Sequence, residues 1–165
     1  MIQLSGVIIT YNEERNIERC LKSLVDLVDE IIVVDSFSTD KTKKICSKFN
    51  VTFIEQEFLG YIEQKNYATS LATNDYILSL DGDEALSETL KMSILEVKSD
   101  WKYDGYFCHR LNNYCGQWIK HSDWYPDKKL RLFKKGEGEW GGKNPHDKYL
   151  LNQPGDVIHL KGDLL

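Results

Sequence analysis

Short apolar runs alternate with segments of helical spacing throughout the first 98 residues, and this alternation limits the fold more than any other feature of the sequence. The apolar runs predict strands at 4–10, 30–35, 51–54 and 76–80. The segments between them predict helices at 13–28, 41–49 and 60–72, and a further helix begins near Glu88. Strands that alternate with helices in this way are typical of a parallel, doubly wound α/β sheet.

Polar side chains follow three of the predicted strands at the point where each strand ends. They are Thr10, Tyr11 and Asn12 after the first strand, Asp35 with the turn 36–40 after the second, and Asp81 and Asp83 after the fourth. Ligands of parallel sheets bind beyond the carboxyl ends of the strands, so we expect one site rather than three unrelated turns. Asn12 is also predicted to cap the first helix, and Asp40 to be a turn or capping residue.

The fourth apolar run ends on two acids separated by one glycine, Asp81-Gly82-Asp83, and Glu84 follows them directly. Two carboxylates at this spacing can face one hard cation, because the glycine lets the backbone turn tightly between them. The alternative is an acidic first turn of the next helix, capped by Ser87. That alternative explains Ser87 but not the two acids at the strand end, so the sequence favours a metal site.

The length, charge and cysteine content restrict the class of protein. A chain of 165 residues is long enough for one domain with a substantial core, and its net charge of −5 argues against nonspecific nucleic-acid binding. We find no apolar run long enough to span a bilayer and expect no secretory signal. The four cysteines lack a C-x-x-C pairing, which predicts reduced, mostly buried thiols in a cytoplasmic protein.

Residues 99–165 lack the helical pattern of the first part and mix aromatic, glycine and charged residues. Strands are predicted at 103–114, 129–134 and 156–160, as antiparallel additions to the sheet, and the glycine-rich stretch 134–143 is predicted to be a mobile loop. The basic run 128–135 indicates either an exposed strand edge or a surface for a phosphorylated acceptor or an anionic membrane. The chain ends shortly after a strand pattern, from which we expect a C-terminal truncation.

Several ordered motifs resemble those of the family 2 glycosyltransferases, which are inverting enzymes with the GT-A fold. The motifs are Val7-Ile-Ile-Thr-Tyr-Asn-Glu-Glu14, Ile32-Val-Val-Asp-Ser-Phe-Ser-Thr-Asp40, Gln64-Lys-Asn66 and Leu80-Asp-Gly-Asp-Glu84. The later segments Trp118-Ile-Lys-His121, Trp124-Tyr-Pro-Asp127, Leu130-Arg-Leu-Phe133 and Pro145-His-Asp147 resemble the subgroup of lipopolysaccharide-core glucosyltransferases. The ordered set covers nearly the whole chain.

This resemblance implies a GT-A domain with a mainly parallel, Rossmann-like sheet, helices on both faces and an antiparallel C-terminal part. Residues 1–98 would bind the nucleotide sugar and residues 99–165 the acceptor. The implied reaction moves a hexose, with glucose favoured, from a UDP-sugar to a saccharide or lipid-linked saccharide in lipopolysaccharide or cell-surface glycan synthesis. A divalent cation, Mn²⁺ or Mg²⁺, would assist this transfer. We expect a cytoplasmic enzyme with peripheral contact to the inner membrane as a further option, and no nucleic-acid partner.

The resemblance also assigns roles around the nucleotide. Asp83 is expected as the direct metal ligand and Asp81 as the partner of the donor ribose or the metal, with Glu84 either a supporting acid or a helix N-terminal charge. The other candidates for binding the nucleotide sugar are Thr10, Tyr11, Glu13, Asp35, Lys65 and Asn66. Tyr11 would stack on the base. Asp35 has independent support, because an acid that ends an apolar strand needs a partner, whereas Lys65 is equally well explained as a solvated surface charge.

An inverting transfer needs a base that deprotonates the acceptor hydroxyl. The candidates are Asp147, Asp127 and Asp123, and we prefer Asp147 because it matches a late acidic position of the family, which more often carries Glu. His146 is expected to complete the metal shell, to orient the diphosphate or to be structural. The loop from Gly136 to Gly142 is predicted to close over the donor, with Trp140 covering the sugar or anchoring the loop.

Three other functions are weighed against this interpretation. A phosphatase of the haloacid dehalogenase kind also has an Asp-x-Asp motif, but on the first strand and with Thr or Val two positions after the second acid, where this chain has Ala85. A calcium-binding loop fails because Ala85 and Leu86 occupy its ligand and glycine positions. A catalytically inactive carbohydrate-binding or partner-binding domain remains as an alternative.

Overall fold

The computed structural model of the protein describes residues 1–121 and 124–165. Its elements in chain order are β1 (Leu4–Thr10), α1 (Ile17–Leu24), β2 (Glu30–Asp35), α2 (Thr42–Cys46), β3 (Thr52–Glu55), α3 (Tyr61–Leu71), β4 (Tyr76–Asp81), α4 (Glu88–Ser99), β5 (Gly105–Arg110), β6 (Asn113–Tyr114), β7 (Gln117–Trp118), β8 (Asp127–Lys134), β9 (Gly138–Lys143), β10 (His146–Leu151) and β11 (Val157–Leu164). The mixed α/β class predicted from the sequence is confirmed.

A seven-stranded sheet with the order β11-β5-β8-β4-β1-β2-β3 organises the protein. The strands β3, β2, β1 and β4 are parallel to one another, as predicted. Strand β8 is antiparallel to both β4 and β5, whereas β11 is parallel to β5. The expectation of antiparallel additions is therefore right for β8, while β5 and β11 run in the same direction as the first four strands.

Two apolar layers cover the two faces of the sheet. On one face, helices α1, α2 and α4 pack against side chains such as Ile8 and Leu78. On the other face, α3 and the β9–β10 hairpin pack against side chains such as Val7, Ile77 and Phe133. Every residue of β1 is buried, because a strand covered on both faces has no solvent side.

Three local predictions are wrong. Helix α1 begins at Ile17, and Asn12 does not cap it: Asn12 has a φ of 52°, and its Oδ1 accepts a hydrogen bond of 2.8 Å from the backbone N–H of Thr39. Asn12 therefore fixes the turn after β2. Helix α2 is only five residues long, shorter than the predicted helix 41–49. Most of the stretch 134–143 is not a loop, because residues 138–143 form β9, which pairs with β10 along its whole length; only the turn at 135–137 is irregular.

The basic run lies in a central strand and not at an exposed edge, since β8 has neighbours on both sides. Arg131 is only 2% exposed, so the expectation of exposed charges fails at this residue. A register shift opposite Arg131, between Tyr106 and Phe107 of β5, interrupts the simple alternation of β8. Such a bulge reorients one side chain relative to its neighbours, which places the arginine inside.

Ser87 caps α4 as predicted and has a second partner. Its Oγ accepts hydrogen bonds from the backbone N–H of Leu90 at 3.2 Å and of Asp163 in β11 at 2.9 Å. We expect Ser87→Ala to lower the free energy of unfolding by about 1–2 kcal/mol, because both donors lose their acceptor. Urea denaturation of this variant and of Ser99→Ala, at the exposed end of the same helix, measures the effect. Equal effects of the two substitutions would contradict the capping role.

The four cysteines are free; Cys20, Cys46 and Cys108 are buried and Cys115 is exposed. The prediction of mostly buried thiols is confirmed. Within residues 1–121 and 124–165, no helix has the length and apolarity needed to cross a membrane.

Candidate functional site

A cavity of about 560 Å³ lies at the carboxyl ends of the parallel strands. Thr10, Tyr11 and Glu13 line it from the end of β1, Ser36 from the end of β2, and Asp81, Gly82 and Asp83 from the end of β4. The three polar strand ends therefore meet in one cavity. Phe58, Tyr61 and Gln64 close it from the side of α3. We call this space the first cavity.

The glycine between the two acids lets β4 approach β1 closely. A Cβ atom on Gly82 would lie 2.6 Å from Thr10 Oγ1, too close for any larger residue without movement. The Gly82 N–H donates a hydrogen bond of 2.9 Å to the carbonyl of Ile9. Thr10 Oγ1 is buried and has no hydrogen-bond partner among the described residues. The lining of the first cavity thus includes a buried hydroxyl that has no partner among the described residues.

Asp83 and Glu13 form the acidic part of the first cavity. Burial raises the pKa of Glu13 above its ordinary value, a hydrogen bond from Asn16 lowers it, and the charges of Asp83 and Asp40 raise it again. Asp83 is exposed, and its carbonyl accepts a hydrogen bond of 2.6 Å from Arg19. Two carboxylates that repel each other at the edge of a cavity favour a bound cation.

Asp35 is fully buried and does not line the first cavity. Its carboxylate accepts hydrogen bonds from both the backbone N–H of Ser38, at 2.7 Å, and the Ser38 hydroxyl, at 2.5 Å. Asp35 therefore has a partner, as predicted from the sequence, but that partner belongs to the turn after β2. Asp40 accepts hydrogen bonds from the N–H groups of Glu14 and Thr42, as expected for a turn and capping residue.

A network of ion pairs connects the buried cations Lys65 and Arg131 with the carboxylates of Asp81, Glu84 and Asp147. Lys65 Nζ is 3.0 Å from Asp81 Oδ1 and 2.7 Å from Asp147 Oδ2. Arg131 Nη2 is 3.0 Å from Asp81 Oδ2 and 2.7 Å from Glu84 Oε1. Lys65 is 3% exposed, so the alternative of a solvated surface charge is wrong. The network places Asp81 between two cations and links it to Asp147 through Lys65.

Electrostatics in the network favour an ionised Asp81. Burial alone would favour its neutral form, but the charges of Arg131 and Lys65 outweigh burial and hold the pKa of Asp81 below its ordinary value. Burial raises the pKa of Glu84, partly offset by Arg131. Glu84 also accepts a hydrogen bond of 2.9 Å from the backbone N–H of Asp81. Its role is therefore to position the strand end and not to act as a helix N-terminal charge.

A second cavity of about 560 Å³ adjoins the first, since Asp81 and Tyr61 line both. Asp147 lies in its wall with a side chain only 9% exposed, and the ring of Trp140 lies 4.6 Å from Lys65 Nζ. Trp140 is 4% exposed, so it anchors β9 to the core. Asp81 thus belongs to the lining of both cavities, an arrangement that suits two reactants meeting at one point.

The remaining candidates that the structure describes do not line the first cavity. Asn66 clamps β9 to α3 through two hydrogen bonds with the backbone of Trp140, and it does not line the first cavity. Asp127 pairs with Arg110 at 2.7 Å and Lys129 at 3.3 Å. His146 is exposed in the wall of the second cavity. Asp123 lies outside the described residues.

Arg131 was missed as a site residue because its position between Leu130 and Leu132 predicts an outward side chain. The sequence holds no signal for the bulge that reverses this. Among the described residues, no group of three or more His, Cys, Asp or Glu side chains could hold a metal alone. Asp83 and Glu13 fit a divalent cation that is shared with a ligand such as a diphosphate, because Mg²⁺ and similar ions accept one or two carboxylates together with phosphate oxygens and water.

Comparisons with known proteins agree with this architecture. Residues 5–151 match the model of Glycosyl transferase family 2. An uncharacterized glycosyltransferase of Rickettsia felis is 40% identical over 111 residues, which is 67% of this chain and 39% of the relative. The lipopolysaccharide core biosynthesis glycosyltransferase LpsC of Rhizobium meliloti is 28% identical, over 84% of this chain and 53% of LpsC. The chain therefore spans about two fifths to half of these relatives.

A solved structure has a similar fold. The mannosyltransferase PcManGT from Pyrobaculum calidifontis, in complex with GDP-Man and Mn²⁺, superposes with a TM-score of 0.55 and is 25% identical. The matched part covers 66% of this chain and 36% of the mannosyltransferase. That protein therefore has a similar fold over about two thirds of this chain.

Proposed function

The chain belongs to glycosyl transferase family 2, and from this premise we propose that it moves a hexose from a UDP-sugar to a saccharide acceptor. The observation that carries the proposal is the pair of adjoining cavities, which share the wall formed by Asp81 and Tyr61. The first cavity would bind the donor and the second the acceptor. Glucose as the sugar follows from the resemblance of the sequence motifs, and a lipopolysaccharide-core acceptor is supported by the similarity to LpsC.

The first cavity has the groups that a nucleotide sugar needs. Tyr11 is 57% exposed, and its ring offers a face on which a base can stack. The unpartnered hydroxyl of Thr10 is available for a hydrogen bond to the nucleotide. Asp83 and Glu13 would hold Mn²⁺ or Mg²⁺ together with the diphosphate, as proposed by analogy with the Mn²⁺ complex of PcManGT. When bound, the ion neutralises the charge that develops on the leaving diphosphate.

Asp147 is proposed as the general base. Its carboxylate lines the second cavity and is linked to Asp81 by Lys65, so it lies close to the junction of the two reactants. It would accept the proton of the acceptor hydroxyl as that oxygen attacks the anomeric carbon. Lys65 positions the carboxylate by a hydrogen bond of 2.7 Å. Asp127 is proposed as a structural acid, because both of its oxygens are paired with cations.

Calorimetric titration with UDP tests the donor site. We expect Mn²⁺ to strengthen UDP binding, and Asp83→Asn to weaken it at least about tenfold in the presence of the ion, because a carboxylate ligand is lost. Without the ion, the variant should bind UDP no more weakly than wild type, because Asp83 is then only a negative charge beside the diphosphate. Asp75→Asn is the matched control, since Asp75 is an exposed acid just before β4 at the opposite end of the strand. If neither the ion nor Asp83→Asn changes the affinity for UDP, the shared metal site is refuted.

Two further measurements separate the alternatives. GDP titrated in parallel should bind more weakly than UDP if the uracil expectation is right. Metal-dependent release of glucose from UDP-glucose separates an enzyme from an inactive carbohydrate-binding domain. The phosphatase alternative is not favoured, because the acid pair follows β4 and not the first strand.

A cytoplasmic site of action is consistent with the four free thiols.

A further inference from the structure

The mouth of the second cavity has an excess of positive charge. Arg110, Lys128, Lys129 and Lys148 line the cavity, and Lys128 and Lys148 are exposed. Asp127 neutralises part of this charge through Arg110 and Lys129. Among the described residues, neither Lys128 nor Lys148 has an ion-pair partner. Two cations at the mouth therefore remain without a counter-charge.

This concentration of cations contrasts with the net charge of the whole chain, which is −5. The cations also come from two different elements, since Lys128 lies in β8 and Lys148 in β10. Positive charges gathered from separate elements around one concave surface raise the local concentration of anions and orient them. A solvated basic run on one strand would not produce this convergence.

The floor of the same cavity has a different character. By the floor we mean the less exposed part of the lining, to which Asp147 and Asp81 belong with side chains 9% and 26% exposed; both are paired with Lys65. Arg131, behind them, is paired with Asp81 and Glu84. The floor therefore has no surplus cation, so a ligand anion would be held at the mouth while a hydroxyl group reaches the carboxylate of Asp147.

We propose that the second cavity selects an acceptor saccharide that carries an anionic group, a phosphate or carboxylate, and that Lys128 and Lys148 bind this group at the mouth. The proposal rests on the glycosyltransferase function proposed above and names the chemical class of its acceptor. Arg110 and Lys129 add to the attraction while Asp127 keeps them oriented. Charge-assisted hydrogen bonds from two lysines to a phosphate would distinguish a charged sugar from its neutral counterpart.

Matched pairs of sugars test the proposal on UDP-saturated protein. Glucose and glucose 6-phosphate, mannose and mannose 6-phosphate, and galactose and galacturonate are titrated by NMR chemical-shift perturbation. At least one charged sugar should bind about tenfold more tightly than its neutral partner, from the strength of charge-assisted hydrogen bonds. The preference should weaken as the salt concentration rises. The absence of any preference for a charged sugar would overturn the proposal.

Charge reversal identifies the residues responsible. Lys128→Glu with Lys148→Glu should abolish the preference, whereas the matched control Lys44→Glu with Lys161→Glu, two exposed lysines outside both cavities, should retain it. A preference that survives the first double variant, or a charged sugar that competes with UDP, would place the anion elsewhere and overturn the proposal. Binding to vesicles of anionic lipid without binding to any charged sugar would also overturn it.

The UDP titration keeps the two hypotheses separate. If wild-type protein binds UDP but shows no preference for charged sugars, only the acceptor class is wrong. If wild-type protein does not bind UDP at all, the proposed glycosyltransferase function itself is wrong. UDP affinity should be the same in both double variants, because none of the four substituted lysines lines the first cavity.

Discussion

Replacing Arg131 by methionine is expected to lower the free energy of unfolding by about 3–5 kcal/mol, the range for removing one partner of a buried ion pair. Arg131 is 2% exposed and is the cation that contacts both Asp81, at 3.0 Å, and Glu84, at 2.7 Å. Without it, Glu84 remains buried, and among the described residues the one cation left within 4 Å is Arg110, at 3.9 Å. Urea denaturation followed by circular dichroism measures the loss.

Lys134→Met on the same strand is the control for this prediction. Its side chain is 45% exposed and lies 3.9 Å from Glu137, so we expect a change within about 0.5 kcal/mol, as for other surface pairs. If Arg131→Met prevents folding altogether, the double variant Arg131→Met with Glu84→Leu should recover folded protein, because the unpaired acid is also removed. A loss below about 1 kcal/mol for Arg131→Met would show that Lys65 alone compensates the acids.

The parallel half of the fold could be predicted from sequence because its signals are local. Strands β1 and β2 begin and end at the predicted residues, since both are continuous apolar runs that end on a polar residue. The cap at Ser87 was equally local, because the capped N–H of Leu90 is only three residues away. Predictions of this kind need only the period of the apolar residues and the chemistry of a helix end.

The β9–β10 hairpin could not be predicted, because what holds it is distant in sequence. The glycines between 136 and 142 indicate irregular backbone when read alone. In the structure, the pairing of Trp140 with Tyr149 holds β9 in place, together with two hydrogen bonds between the side-chain amide of Asn66 in α3 and the backbone of Trp140. Glycine at 138 is required there, since a Cβ atom would lie 2.3 Å from the carbonyl oxygen of Leu150.

In the candidate site, too, some features could be predicted from the sequence and others depend on contacts between distant residues. The meeting of Thr10 with Asp83 followed from the rule that ligands bind at the carboxyl ends of parallel strands. The partners of the acids did not follow. Asp35 is occupied by Ser38, three residues further along the same turn. Asp81 is occupied by Lys65 and Arg131, and these ion pairs were not predictable because they join residues 16 and 50 positions apart and depend on the tertiary fold. Those pairings decide which acids are available to a ligand.

Asp147→Asn is expected to reduce the hydrolysis of UDP-glucose, in which water replaces the acceptor hydroxyl, by about 10²- to 10⁴-fold, the usual contribution of a general base. The amide cannot accept the proton, although it has nearly the same shape. UDP affinity should change little, because Asp147 does not line the first cavity. Lys65 keeps its ion pair with Asp81, so the fold should persist.

Asp127→Asn is the comparison that decides between the two candidate bases. Asp127 pairs with Arg110 and Lys129, whose side chains are 35% and 30% exposed, so we expect only a few-fold loss of hydrolysis, as for a partly exposed ion pair. Stopped assays of glucose release with both variants, at saturating UDP-glucose and Mn²⁺, give the ratio directly. If the loss is larger for Asp127→Asn, the base is Asp127. Asp147 would then serve to hold Lys65 beneath Asp81, a role that asparagine can fill with a neutral hydrogen bond.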